Sequence, residues 1–113
     1  MEQYDLINDI NALCAKLSIA GQQMQRYGKE LAEAEREYKI CLRQEALKLR
    51  AELEMPVTLI NQVVYGIPEV ADKRFKRDVA EAMYKTAQES INTLKLKIRI
   101  LDAQISREWS STK

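Results

Sequence analysis

The sequence predicts an all-α protein: a long antiparallel helical hairpin of coiled-coil type, with a short capping helix at the connection, assembling as an oligomeric helical bundle. Three observations predict it. Apolar or small residues recur at alternating steps of four and three along two long stretches, and that 3.5-residue average keeps one seam of a helix facing a partner. Only three Gly and two Pro interrupt 113 residues, and both prolines, Pro56 and Pro68, fall between the two stretches. Charged residues make up 31 % of the chain and hydrophobic ones 46 %, a balance typical of long amphipathic helices built from residues that lose little rotamer freedom on helix formation. At this length a single domain, 1–113, is expected.

The first seam reads Leu6, Ile10, Leu13, Leu17, Ala20, Met24, Tyr27, Leu31, Ala34, Tyr38 and Cys41. After Tyr38 the phase slips, and Leu42, Ala46, Leu49 and Leu53 carry it on, which is a stutter. The first long helix is therefore expected over about 3–53. Gly21 and Gly28 are its weak points, each costing about 1 kcal/mol in a helix interior relative to Ala. A break at either would give a compact three-helix bundle. The heptad phase survives both, which favours continuity, because a loop would normally reset it.

Pro56 has no backbone N–H to donate and disfavours helical geometry at Met55, so the first helix should stop near Glu54. In PVTLINQVVY, residues 56–65, Leu59, Ile60, Val63 and Val64 share one face at helical spacing. This predicts a short helix lying across the end of the hairpin and capping its core, with Gly66 suited to a left-handed C-terminal cap. The second long helix is expected over about 68–109, with Pro68 at its first position and Glu69 and Asp72 meeting the helix dipole. Its seam is Ala80, Tyr84, Ala87, Ile91, Leu94, Ile98, Leu101 and Ile105, extended one turn by Trp109.

If Leu53 faces Glu69 across the cap, Leu94 lies near Gly28, Ile105 near Leu17 and Trp109 near Leu13. Tyr4, Leu6, Ile7 and Ile10 then overhang without a partner, and Ile7, Leu47, Phe75, Val79 and Met83 lie off the seams. A two-helix hairpin covers one side of each helix and rarely buries enough apolar area to offset chain entropy. Self-association into a dimer or larger bundle is the physical expectation. Its interface candidates are Tyr4, Leu6, Ile7, Ile10, Leu13 and Trp109.

Composition narrows the function. The absence of histidine removes the commonest general base, zinc ligand and pH switch together. Serine and threonine hydroxyls have no such base beside them, and neither a metal-binding acidic motif nor a glycine-rich phosphate loop occurs. A non-enzymatic protein without cofactor or metal is expected. Cys14 and Cys41 lie on one seam, some 40 Å apart by helical rise, outside disulfide reach; core packing is the expected role. The start MEQYDLINDI lacks the basic and apolar regions of a signal peptide, and no apolar run approaches the roughly 20 residues that span a bilayer. A soluble cytoplasmic protein is expected, with no membrane partner.

Eighteen basic against seventeen acidic residues leave a net charge of +1, without the basic excess usual in proteins that track nucleic acid. One local run stands out. TLINQVVYGIPEVADKRF fits a helix-turn-helix in part, with Gly66 at the turn and Lys73, Arg74, Lys76 and Arg77 on the following helix. Asn61 and Asp72 then occupy positions that are normally apolar. The plainer reading is a solvated helix start, with the cations partly satisfied by Glu69, Asp72, Asp78 and Glu81. Tyr65 stands beside the same run. With Arg or Lys and the backbone N–H groups of the helix start it would form a small anion or nucleotide pocket; packing at the cap is the alternative.

From Ala46 to Trp109, ALKLRAELEMPVTLINQVVYG and RDVAEAMYKTAQESINTLKLKIRILDAQISREW resemble small helical proteins encoded by phages and mobile elements of Gram-positive bacteria. The shared pattern is LR…MPVTLI…VVYG…REW. The resemblance implies a bacterial cytoplasmic setting and a binding protein. That protein would either disarm a host defence system, by occluding a protein or sequestering a signal nucleotide between subunits, or serve phage DNA metabolism as an accessory. A purely architectural oligomerisation module is the third reading.

Overall fold

The computed structural model describes residues 3–111. They form three α-helices and one turn of 3-10 helix: α1 (Gln3–Leu53), α2 (Val57–Val63), the 3-10 turn (Val64–Gly66) and α3 (Pro68–Ser111). The fold is an all-α hairpin in which α1 and α3 run antiparallel. Every seam position from Leu6 to Cys41 on α1, and from Ala80 to Ile105 on α3, is buried or half-buried. Leu53 and Trp109, at the seam ends, are exposed.

The α1 helix continues through Gly21 and Gly28, and the two glycines differ in what surrounds them. A Cβ on Gly28 would lie 3.3 Å from Cε2 of Tyr84, whereas one on Gly21 would meet nothing within 4 Å. Gly28 thus gives a seam tyrosine room to lie against the α1 backbone. Gly21→Ala is expected to raise stability by about 1 kcal/mol, the helix-interior difference between the two residues. Gly28→Ala is expected to give less than Gly21→Ala, because Tyr84 must move to admit the methyl. Thermal unfolding of the two single variants checks the order, and a larger gain at Gly28 would contradict it.

Packing divides the chain into two units. One holds the described residues up to Arg26 and from Lys85 onward; the other is Tyr27–Tyr84. In the second, a cluster of buried apolar side chains joins all the elements of the corner: Tyr38 from α1, Ile60 from α2, Val64 from the 3-10 turn and Val70 from α3. Cys41, Leu42, Ala46, Leu49, Met55 and Ile67 pack around it. The stutter in the sequence is thus the place where the partner of α1 changes from α3 to α2.

That change of partner corrects the expected register. The short helix does not lie across the end of the hairpin; it doubles back along the last turns of α1, so the first turn of α3 packs with Tyr38 and Leu42 rather than beside Leu53. Gly28 accordingly meets Tyr84, not Leu94. In the other unit, Cys14 and Leu17 share a hollow with Lys95 and Ile98, so Leu17 lies well short of Ile105. This register brings Leu6 level with Ile105, and Leu6 is fully buried. The expected overhang is therefore wrong for Leu6, while Ile10 and Leu13 are half-buried.

The left-handed residue of the corner is also not the expected one. No described glycine has positive φ, and Glu54 takes that conformation at φ 51°. It ends α1 where Pro56 forbids continuation. The Met55 N–H donates to the Leu49 carbonyl at 3.3 Å, and Arg50 Nη1 donates to the Met55 carbonyl at 3.1 Å. The Pro56 carbonyl then accepts from the Leu59 and Ile60 N–H groups at 3.0 Å each. Ile67 is extended, and its carbonyl accepts from Ala71 at 2.9 Å to start α3.

Candidate functional site

The corner unit gathers the polar and aromatic side chains that the sequence singles out around Tyr65. The 3-10 turn places Tyr65 half-exposed, and Arg74, two turns into α3, stands over its ring at 5.7 Å from the centroid. An arginine over an aromatic face is attracted by the ring quadrupole. Arg74 is the one member of the basic run that the structure brings to Tyr65.

The other three cations are engaged elsewhere. Lys73 Nζ donates to Glu37 Oε2 at 3.2 Å, tying α3 to α1. Lys76 pairs with Asp72 at 3.4 Å, one turn back on its own helix. Arg77 donates from Nε to Asp78 Oδ1 at 2.9 Å and lies over the buried Tyr38 ring at 4.8 Å. The hydrogen bond to Asp78 raises the pKa of Arg77 above its ordinary value; burial opposes it, and the Coulombic fields of Asp78, Tyr38 and Glu81 add lesser contributions upward. Exposed ion pairs of this kind contribute up to about 1 kcal/mol each. The run is thus largely absorbed into the surface of the hairpin.

Sequence reasoning missed two residues here. A cleft of about 360 Å³ opens between α1 and the α2 corner, lined by Lys39, Leu42 and Arg43 from α1 and by Asn61, Val64 and Tyr65 from the corner. No carboxylate lines it. Lys39 and Arg43 sit one helical turn apart and, among the described residues, enter no ion pair. The sequence carried a faint signal, since Arg43 has Lys39, Ile40, Ala46 and Leu47 at the neighbouring helical positions and no acid among them. That signal means little until the fold turns α2 back beside it.

Large apolar side chains remain on the outer faces. In the corner unit, Phe75, Val79 and Met83 follow one another at four-residue steps on α3, 66 %, 45 % and 44 % exposed, and Ile40 and Leu47 are exposed on α1. In the other unit Tyr4, Ile7, Leu96, Ile100 and Trp109 are exposed. Of the interface candidates, Tyr4, Ile7 and Trp109 therefore present large surfaces, and Leu6 presents none. The expected core packing is wrong for Cys14, which stands one position off the Leu13 seam and is exposed, while Cys41 is half-buried in the corner; both are free thiols.

Among the described residues there is no cluster of acidic, cysteine or histidine side chains able to hold a metal ion, and no helix is long and apolar enough to cross a membrane. Compared with family models, curated proteins and solved structures, the chain matches none.

Proposed function

We propose that this chain is a non-enzymatic binding protein that self-associates through the outer apolar faces of its helices and acts by stoichiometric occlusion of a partner. The resemblance to phage-encoded helical proteins points to a component of bacterial immunity as that partner. The observation that carries the reading is the row Phe75, Val79 and Met83, large apolar side chains in register on a surface that faces water in the single chain. Contiguous exposed apolar surface of this kind marks an interaction site. The DNA-accessory reading has less support, because Lys73, Lys76 and Arg77 have carboxylate partners within the chain.

Capture from a bacterial host tests the proposal. The tagged chain is expected to retain one host protein at near-equal stoichiometry, and Val79→Glu with Met83→Glu, which takes the assembly apart, is expected to release it. Retention of duplex DNA instead, with affinity falling steeply in salt and lost on Arg74→Glu with Arg77→Glu, would replace this reading with the nucleic-acid one.

A further inference from the structure

We infer that the cleft between α1 and the α2 corner is a nucleotide-binding site, in which Lys39 and Arg43 take the phosphates and Tyr65 with Asn61 takes the base. The site is distinct from the apolar row on α3, and of the basic run at the start of that helix only Arg74 comes near it.

Its chemistry follows from what lines it. Lys39 and Arg43 project from one side of α1 at a separation of four residues, which sets their Cβ atoms about 5–6 Å apart. Two cations at that spacing suit a diphosphate or two successive phosphates of a strand. Arginine adds a planar fork of donors that matches phosphate oxygens. Neither cation is committed to a carboxylate among the described residues, in contrast to Lys48, Lys73, Lys76 and Arg77. The lining of the cleft therefore carries two cations and no carboxylate.

The opposite wall supplies the partner for a base. Tyr65 is 44 % exposed at the cleft, and an aromatic face stacks on any base. Arg74 over that ring adds a third positive charge next to the same aromatic group. Asn61 provides a side-chain amide, which both donates and accepts and so can pair with a base edge. Leu42, Ala46 and Val64 make the floor apolar. A cleft of about 360 Å³ lies within the range of small-ligand sites, whose walls are mainly apolar with a few placed polar groups. Inorganic phosphate alone would use the cations and leave the ring and amide idle, so the assignment is to a nucleotide. That nucleotide is either free or a unit of a single strand, and the chemistry of recognition is shared.

Titration calorimetry with ADP, oligo-deoxythymidine and inorganic phosphate tests this on the full chain. ADP is expected to bind saturably and more tightly than phosphate. Lys39→Glu and Arg43→Glu are each expected to weaken binding at least tenfold, and Tyr65→Leu about five- to a hundredfold, the usual value of base stacking. All three side chains are exposed, so thermal unfolding should stay near wild type and separate lost binding from lost fold. Lys97→Glu, in the other unit, is expected to bind like wild type. Binding of the oligonucleotide with none of ADP would assign the site to a strand and still support it. The inference is overturned by absence of binding to both, by phosphate binding as tightly as ADP, by full affinity in Arg43→Glu, or by equal loss in Lys97→Glu. The mass of the protein in solution bears on the proposed function and leaves this site untouched, so the two fail separately.

Discussion

Val70→Asp is expected to unfold the corner of the hairpin. Val70 is fully buried and belongs to the cluster with Tyr38, Ile60 and Val64. The substitution removes the apolar contacts of a valine and sets a carboxylate among the apolar side chains of the cluster. A buried charge without a partner costs several kcal/mol, and with the lost packing the total is about 4–6 kcal/mol. That is comparable to the whole stability of many domains, roughly 5–15 kcal/mol. Val70→Ala grades the effect, with an expected loss of about 1–3 kcal/mol. Chemical denaturation followed by circular dichroism checks both. Wild-type stability in the Val70→Asp variant would mean that α3 does not enter the corner at Val70.

Val79→Glu combined with Met83→Glu is expected to dissolve self-association while leaving the helices intact. Both side chains are about half exposed in the single chain, so each has roughly half of a large side chain's burial still to gain. In an isologous interface each substitution acts twice. Four half-buried side chains at about 0.8–1.5 kcal/mol each come to about 3–6 kcal/mol, or two to four orders of magnitude in the dissociation constant. Sedimentation velocity should show the double variant running as a single chain at concentrations where the wild type is associated. Helicity should be unchanged, because neither position lies on the α1–α3 seam. Leu6→Glu is unsuited to this purpose: Leu6 is fully buried, so its loss would act on folding rather than on association.

The helical hairpin was legible because its signal repeats. A seam that recurs from Leu6 to Cys41 and again from Ala80 to Ile105 needs no knowledge of its partner to be recognised, and Pro56 ends the first helix by backbone chemistry alone. The register was not legible. It depends on which way α2 runs, and the apolar face Ile60 and Val64 suits packing across the end of α1 as well as along its side. What decides between them is the geometry at Glu54, whose positive φ turns the chain back along α1; an acidic residue gives no hint of that role. Gly66 gave a misleading one, because a glycine after a short helix suggests a left-handed cap that the structure places elsewhere. The cleft shows the same limit. Tyr65 and Arg74 are close in sequence and could be paired on paper, whereas Lys39 and Arg43 join them only once the corner folds back. The neighbours on the basic run, Lys73, Lys76 and Arg77, find carboxylates on α1 or on their own helix, and local sequence cannot rank such pairings.

The mass of the chain in solution tests most directly the claim that the outer apolar faces are covered by another copy. Sedimentation equilibrium over concentrations of about 1 µM to 1 mM spans dissociation constants equivalent to roughly 4–8 kcal/mol. The expected result is a species of at least twice 13.1 kDa, which Val79→Glu with Met83→Glu reduces to the single-chain mass. A 13.1 kDa species across the whole range, in the wild type, would contradict it.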